Sequence, residues 1–327
     1  MDFSTAHEAI NLLLHSPGQK KMLIIYGGEP LLNPSLREII LEAKKSARLL
    51  KKELILSLAT NGLLLNKENL NFFKQYNVKI SISIDGRKKS HNQNRIFADS
   101  RGSFDAIVQN LPQTLKILKK QNISAIMTIA PNLAQNMFGN FSHLLRIGFE
   151  NVHLDPIQGK AWTKYQKRNF CVHLMKIIDY LLGKIEEKKF IFLNPLNQFL
   201  AQKKSLNEIF DCPFYKCLEV YSQGEIAFSP FLLNLPEPQK KKYIVGHVKN
   251  GFIKKYQNCH FHQMFHQCQN CWSDYYQDIN ELKNEGAQLV NWRNQLCQRT
   301  ANYIFQQSLS NKNFKKYIEE AKKRIFE

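Results

Sequence analysis

The stretch "YGGEPLLNP", residues 26–34, follows directly on the apolar run "MLIIY" at 22–26. A strand that stops on two glycines opens its backbone N–H and C=O groups to close approach. A carboxylate placed there, Glu29, is costly unless it finds a partner. Asn33 as N-cap and Pro34 at the first helical position then predict a helix running to about Lys51. Strand, polar turn and helix together make a βα unit, and that unit sets the fold.

The same rhythm extends outward in both directions. Upstream, Thr5 and Glu8 form a capping box for a helix over Ala6 to His15, closed by "SPG". Downstream, "ELILSLATNG" (53–62) reads as a second strand, and Asn66 caps a helix through Tyr76. "VKISISIDG" (78–86) is a third strand, and a helix is expected from Ser103 to Lys120 with Pro112 as a kink. "SAIMTIAPN" (124–132) is a fourth strand, 134–147 a helix, and "NVHLDPI" (151–157) a fifth strand. Strands alternating with helices at short spacing predict right-handed βα units and a parallel sheet, here to about residue 158.

Beyond it the pattern changes. A helix is expected over 165–185 and a short helical piece at "SLNEIF" (205–210). "EVYSQGEIAFSPF" (219–231) reads as a strand pair turning at Gln223-Gly224. A Cys/His-rich stretch spans 259–271, and helical sequence runs to the end. The expected domains are 1–190, 191–278 and 279–327.

The chain's 327 residues suffice for one large α/β domain and a smaller module. No segment reaches the roughly 18 apolar residues of a membrane span, and the polar start "MDFSTAHEAI" is not a secretory signal. A soluble cytoplasmic protein is the expectation. The 46 Lys and Arg against 27 Asp and Glu give a formal charge of +19. Such a balance fits a nucleic-acid or acidic partner, or codon bias, since Lys, Asn, Ile and Phe are all abundant. The lysines form no single stripe, and no RNA-binding motif accompanies them. Of seven cysteines, none precedes Cys171 and five fall between Cys212 and Cys271. In a reducing compartment such a cluster reads as metal ligation before disulfides.

In a parallel sheet, ligands bind at the edge formed by the strand C-termini. The polar elements of this sequence fall there: Gly27, Gly28, Glu29 and Pro30; Thr60, Asn61 and Gly62; Ser83; Asp85 and Gly86; Thr128 and Asn132. Glu29 offers an acceptor to an ammonium group, and Ser83, Thr60 and Asn61 can hydrogen-bond a carboxylate or hydroxyls. Arg95 or Arg101 can pair with a carboxylate. Asp85-Gly86 alone reads as a turn and Ser83 alone as a structural hydroxyl. Four polar loops in register outweigh any one of them.

"GGEPLLNP" after an apolar strand, "LATNG", "SISIDG" followed by "HNQNR" and "GSFDAIVQNL", and then "MTIAPN" resemble the radical S-adenosylmethionine enzymes. The likeness is to the branch with a C-terminal SPASM domain, which includes anaerobic sulfatase-maturing enzymes and peptide maturases. It covers about residues 4–158, and 205–275 more loosely. The resemblance implies an α/β fold: a partial (β/α)6 barrel lacking its first strand, a smaller α+β Cys-rich module and C-terminal helices.

It also implies S-adenosylmethionine as cofactor, with Gly28 and Glu29 at its ammonium group, Ser83 at its carboxylate or ribose, and Arg95 at its carboxylate. Gly27, Pro30, Thr60, Asn61, Asp85 and Thr128 complete the implied cofactor site. In the family a reduced [4Fe-4S] cluster cleaves the cofactor, and a 5′-deoxyadenosyl radical abstracts a substrate hydrogen. The implied partners are a peptide or protein substrate and, for an active form, an electron donor such as flavodoxin or ferredoxin.

The family holds that cluster with a CxxxCxxC loop ahead of the helix before Gly-Gly-Glu-Pro. Here that helix opens the chain. The expectation is therefore a truncated chain or a cluster-less relative, inactive as written, with an exposed apolar edge at Met22 to Tyr26. In the tail, Cys212 and Gly224 fit the start of the SPASM pattern, but Ser229 stands where its second cysteine belongs. Cys268 and Cys271 match its later CxxC, and Gln277 replaces the next cysteine. Cys212, Cys217, Cys259, Cys268 and Cys271 can still hold one iron–sulfur cluster, or a zinc with His260, His262 or His266. Cys171 and Cys297 are expected as small buried or half-buried side chains on helices.

Overall fold

The structure, a computed structural model, describes residues 1–157, 160–202, 218–227, 241, 244–252 and 285–326. Its helices are α1 (Phe3–His15), α2 (Leu36–Leu49), α3 (Lys67–Gln75), α4 (Lys88–His91), α5 (Phe104–Ile117), α6 (Met137–Arg146), α7 (Lys164–Glu186), α8 (Leu196–Gln202), α9 (Glu285–Gln307) and α10 (Lys312–Phe326). Its strands are β1 (Lys20–Ile25), β2 (Glu53–Thr60), β3 (Val78–Ser83), β4 (Ile123–Ile129), β5 (Asn151–Pro156), β6 (Phe192–Asn194), β7 (Glu219–Val220), β8 (Glu225–Ala227), β9 (Ile244–His247) and β10 (Gly251–Phe252).

Strands β1 to β6 form a curled, half-barrel parallel sheet in sequence order, as the βα alternation predicts. The sixth strand is an addition. Three residues, Phe192 to Asn194, are too short to register as a strand in sequence, yet Val152 and His153 pair in register with Leu193 and Asn194. On β3, β4 and β5 every second residue is buried and the alternates are half-buried. The apolar set (Val78, Ile80, Ile82; Ile123, Ala125, Met127, Ile129; Val152, Leu154) is the core. The alternate set, including Ser81, Ser83, Thr128, His153 and Asp155, is left for the other face of the sheet.

Several local expectations needed correction. α1 is capped by Asp2, whose carboxylate accepts Thr5 N–H at 2.8 Å, rather than by a Thr5–Glu8 box. A carboxylate placed earlier satisfies the same kind of orphan donor and starts the helix nearly a turn sooner. α2 begins at Leu36 and not after Asn33, because residues 30–32 form a 3-10 turn and Asn33 Oδ1 accepts Ser35 N–H at 3.0 Å. That Asx turn spends the side chain before the helix starts. Residues 131–136 are likewise 3-10, so α6 starts at Met137.

Asn66 caps α3 as expected, accepting Asn69 N–H at 2.9 Å. The hairpin at Gln223-Gly224 also forms, with Glu219 paired to Ala227 and Gly224 at φ +99°. The edge strand β1 leaves Met22 and Ile24 each 46% exposed and Tyr26 42% exposed, so the apolar edge expected there is present. "SLNEIF" lies outside the described residues.

Residue contacts divide the chain into two compact units, each discontinuous in sequence. The first comprises 1–23, 31–54 and 205–282. Its described part holds α1, α2 and an antiparallel sheet of order β10-β9-β8-β7, where buried Ile226 and Val245 pack with Leu12, Leu218, Val220, Val248 and Phe252. The second unit, 24–30, 55–204 and 283–327, contains α3 to α10 and the C-terminal ends of β1 to β5. No helix among the described residues is long and apolar enough to cross a membrane.

Candidate functional site

Three polar clusters stand at the C-terminal ends of the parallel strands, all within the second unit. The first is built on the stretch after β1. Glu29 Oε1 accepts from Thr60 Oγ1 at 2.8 Å and Oε2 accepts from Asn61 N–H at 2.7 Å, so the end of β2 fixes the carboxylate. Thr60, itself buried, also accepts Gly62 N–H at 3.1 Å, and Asn61 Oδ1 accepts Leu63 N–H at 2.9 Å. Thr60 and Asn61 therefore brace Glu29 and close their own turn. Beside it Gly27 sits at φ +145°, and a Cβ built on Gly27 or Gly28 meets nothing within 4 Å. Open backbone next to a fixed carboxylate leaves room for a ligand to approach the main chain there. Pro30 is buried and begins the 3-10 turn that follows.

The second cluster joins the ends of β3 and β4. Asp85, 2% exposed, receives Arg95 in a bidentate pair: Nε to Oδ2 at 2.7 Å and Nη2 to Oδ1 at 3.0 Å. Asp85 Oδ1 also accepts Thr128 N–H at 2.9 Å, and Arg95 Nη2 reaches Thr128 Oγ1 at 3.1 Å. Asp85 N–H donates to His91 Nδ1 at 3.2 Å, while His91 Nε2 lies 3.0 Å from Ser103 Oγ, which donates to Arg95 O at 3.1 Å. A ring that accepts at Nδ1 and stays neutral carries its proton on Nε2. Burial, partly opposed by Asp85 and aided by Arg95, lowers the His91 pKa to about 4, so it is neutral at pH 7.

The reading of Asp85-Gly86 as a plain turn therefore gives way. Asp85 is a buried anchor, and it takes up the Arg95 guanidinium that was expected to meet a ligand carboxylate. Ser83, half-buried one residue before Ile84, makes no side-chain hydrogen bond among the described residues and remains available. Arg101 is 80% exposed and pairs with Asp99, and Asn132 bonds Gln93, so neither joins the cluster.

The third cluster was not anticipated. On β5, His153 Nε2 lies 3.3 Å from Asp155 Oδ2, and Arg293 of α9 donates to Asp155 Oδ1 and to Leu154 O. Burial raises the Asp155 carboxyl pKa, but His153 and Arg293 outweigh it and the pKa falls below the ordinary value. Burial lowers the His153 pKa against the opposing pull of Asp155. The signal available in sequence was a polar pair two residues apart in an apolar strand, which places both on one face. Arg293 lies 138 residues away from Asp155 and carried no local signal.

Cys171 is half-buried on α7 and Cys297 buried on α9, as expected; burial pushes the Cys297 thiol up to about 12. Cys212, Cys217, Cys259, Cys268 and Cys271, with His260, His262 and His266, lie outside the described residues. Among the described residues no three His, Cys, Asp or Glu side chains converge on a possible metal position.

Comparison with known proteins agrees with this geometry. The chain is 36% identical over 215 residues to a cysteine-type anaerobic sulfatase-maturating enzyme of Clostridium novyi, a match covering 61% of this chain and 52% of that protein. It is 29% identical over 115 residues to the radical SAM cyclopropyl synthase TigE of Paramaledivibacter caminithermalis, covering 35% and 22%. The chain spans about half the length, or less, of these curated relatives. The solved structure of native anSMEcpe with bound AdoMet and Cp18Cys peptide superposes with a TM-score of 0.64 at 16% identity, covering 90% of this chain and 92% of that one, a likeness of fold. Residues 4–145 match the radical SAM superfamily. With the half-barrel sheet and the Gly-Gly-Glu-Pro strand end in place, the chain carries a radical SAM domain over those residues.

Proposed function

We propose that this chain binds S-adenosylmethionine at the ends of β1 to β4 and serves radical-based modification of a peptide or protein. The observation carrying this reading is Glu29, whose two oxygens are fixed by Thr60 and Asn61 beside open backbone at Gly27 and Gly28. Those residues fit the cofactor's ammonium group. Ser83, which makes no side-chain hydrogen bond among the described residues, would meet its carboxylate or ribose. Asp85, Arg95 and Thr128 act as a unit that fixes the loop after β3, so Arg95 approaches a ligand only from a position set by Asp85. The Clostridium novyi relative and the anSMEcpe structure with AdoMet and a peptide support a peptide substrate.

The chemistry such a cofactor supplies is hydrogen abstraction from a substrate carbon, driven by a reduced iron–sulfur cluster. The described residues do not fit that cluster. Their two cysteines sit on separate helices, one half-buried and one buried, and no cysteine lies among residues 1–170. The roles left to the described residues are binding and positioning. A second reading is a chain that docks cofactor and peptide without cleaving the cofactor.

Calorimetry on the full chain tests the cofactor site. Glu29→Gln removes the charge that meets the ammonium and is expected to weaken S-adenosylmethionine binding by about 10- to 100-fold. Gly28→Val is expected to abolish it by filling the open space. Equal binding by wild type and Glu29→Gln would sink the assignment.

A further inference from the structure

Helix α7 has two apolar sides. Phe170, Leu174, Ile177, Ile178, Leu181 and Ile185 are buried and pack it into the second unit. On the opposite side Tyr165 is 66% exposed, Val172 39% and Met175 52%, and Leu182 is half-buried. Single apolar side chains scattered over a surface are ordinary. These are not scattered. With Arg168 and Asp179 they fall at alternating steps of three and four residues, the a and d spacing of a coiled-coil seam.

The two charges in the stripe say what fits it. Arg168 and Asp179 are both exposed and make no hydrogen bond or ion pair among the described residues. In a parallel pair of such helices each position meets itself, so arginine would face arginine and aspartate would face aspartate. In an antiparallel pair an a position meets a d position. The stripe is symmetric about the midpoint between His173 and Leu174. A two-fold axis at that point sets Arg168 against Asp179 of a second copy, Val172 against Met175, and Tyr165 against Leu182, each contact occurring twice. The face is thus complementary to itself in both apolar character and charge.

We propose that this chain self-associates through α7 as an antiparallel, two-fold dimer. The apolar layers supply burial, and the Arg168–Asp179 pairs set direction and register. The seam from Tyr165 to Leu182 is about 26 Å long. A contact of that length and one helix wide buries less than the roughly 1,200 Å² of a stable pair. Each copy also carries a formal charge of +19, which opposes close approach. The dimer is therefore weak and reversible, with a Kd on the order of 10–100 µM at about 0.15 M salt. It is independent of what the strand ends bind.

Sedimentation equilibrium of the full chain over roughly 1–500 µM tests it, a range that brackets the expected Kd. The wild type is expected to pass from monomer to dimer. Arg168→Asp and Asp179→Arg each set like charges opposite one another and are expected to weaken association more than about tenfold. An equimolar mixture of the two variants is expected to recover it, because each then supplies the sign the other lacks. The double variant Arg168→Asp, Asp179→Arg is expected to dimerise like the wild type. Both positions are exposed, so thermal unfolding of the dilute variants should match the wild type. A wild type that stays monomeric across the range overturns the inference. So does a dimer indifferent to either reversal, or reversal variants that remain apart both when mixed and when combined in one chain.

Discussion

His91 shows how a single buried group links the site to solution conditions. Its ring is fully buried, accepts from Asp85 N–H and meets Ser103 Oγ. Its pKa is about 4 in the folded chain and about 6.5 when unfolded. The unfolded state therefore takes up the proton first as pH falls. Stability from the neutral ring is complete above about pH 6.5, is lost between 6.5 and about 4, and changes no further below that. The whole window amounts to about 3 kcal/mol. Urea unfolding at pH 7 and pH 4.5 is expected to show the loss, and His91→Gln to flatten it. An unchanged pH profile in His91→Gln would assign the acid sensitivity to other groups.

Glu29 and Asp85 mark how far residue identity alone carries. A carboxylate after an apolar strand needs a partner, and that need was legible for Glu29 because the strand before it is all apolar. Asp85 had the same need, hidden by the following glycine, which gives Asp-Gly its ordinary turn meaning. Only burial at 2% and the bidentate Arg95 separate an anchor from a turn.

At the scale of elements, the turn from β3 into α4 is held by close packing as well as by hydrogen bonds. Gly86 has φ +107°, and a Cβ there would lie 2.2 Å from Asn140 Cβ and 2.7 Å from its Cα. Asn140, on α6, accepts Arg87 N–H at 3.2 Å, so it has little room to retreat. Gly86→Ala is expected to destabilise the chain by about 2–3 kcal/mol, through left-handed strain and overpacking together. Thermal unfolding checks it, and a change under about 0.5 kcal/mol would mean that α6 moves freely. The strands themselves were readable because period-two burial leaves a plain pattern on β3, β4 and β5. Helix starts were less so. Asp2, Ser35 and Met137 each take a start assigned to a neighbour, since several residues near a helix end can satisfy the same free N–H groups.

For the whole molecule, radical chemistry by the 327 residues is directly testable. Anaerobic reconstitution with iron and sulfide, followed by reductant and S-adenosylmethionine, is expected to yield no cofactor cleavage, because residues 1–170 contain no thiolate. Cleavage products above background would refute that expectation and direct attention to the five cysteines between 212 and 271. Cofactor binding without cleavage would fit the docking reading.

The sequence by itself determined the βα order, the parallel sheet and the Gly-Gly-Glu-Pro strand end. Each of these rests on neighbours a few residues apart, where periodicity and turn chemistry act directly. Tertiary structure alone decided the sixth strand, the capture of Arg95 by Asp85, and the meeting of His153 and Asp155 with Arg293. Those depend on contacts between residues from ten to more than a hundred positions apart, where burial and charge compensation choose partners that no local pattern names.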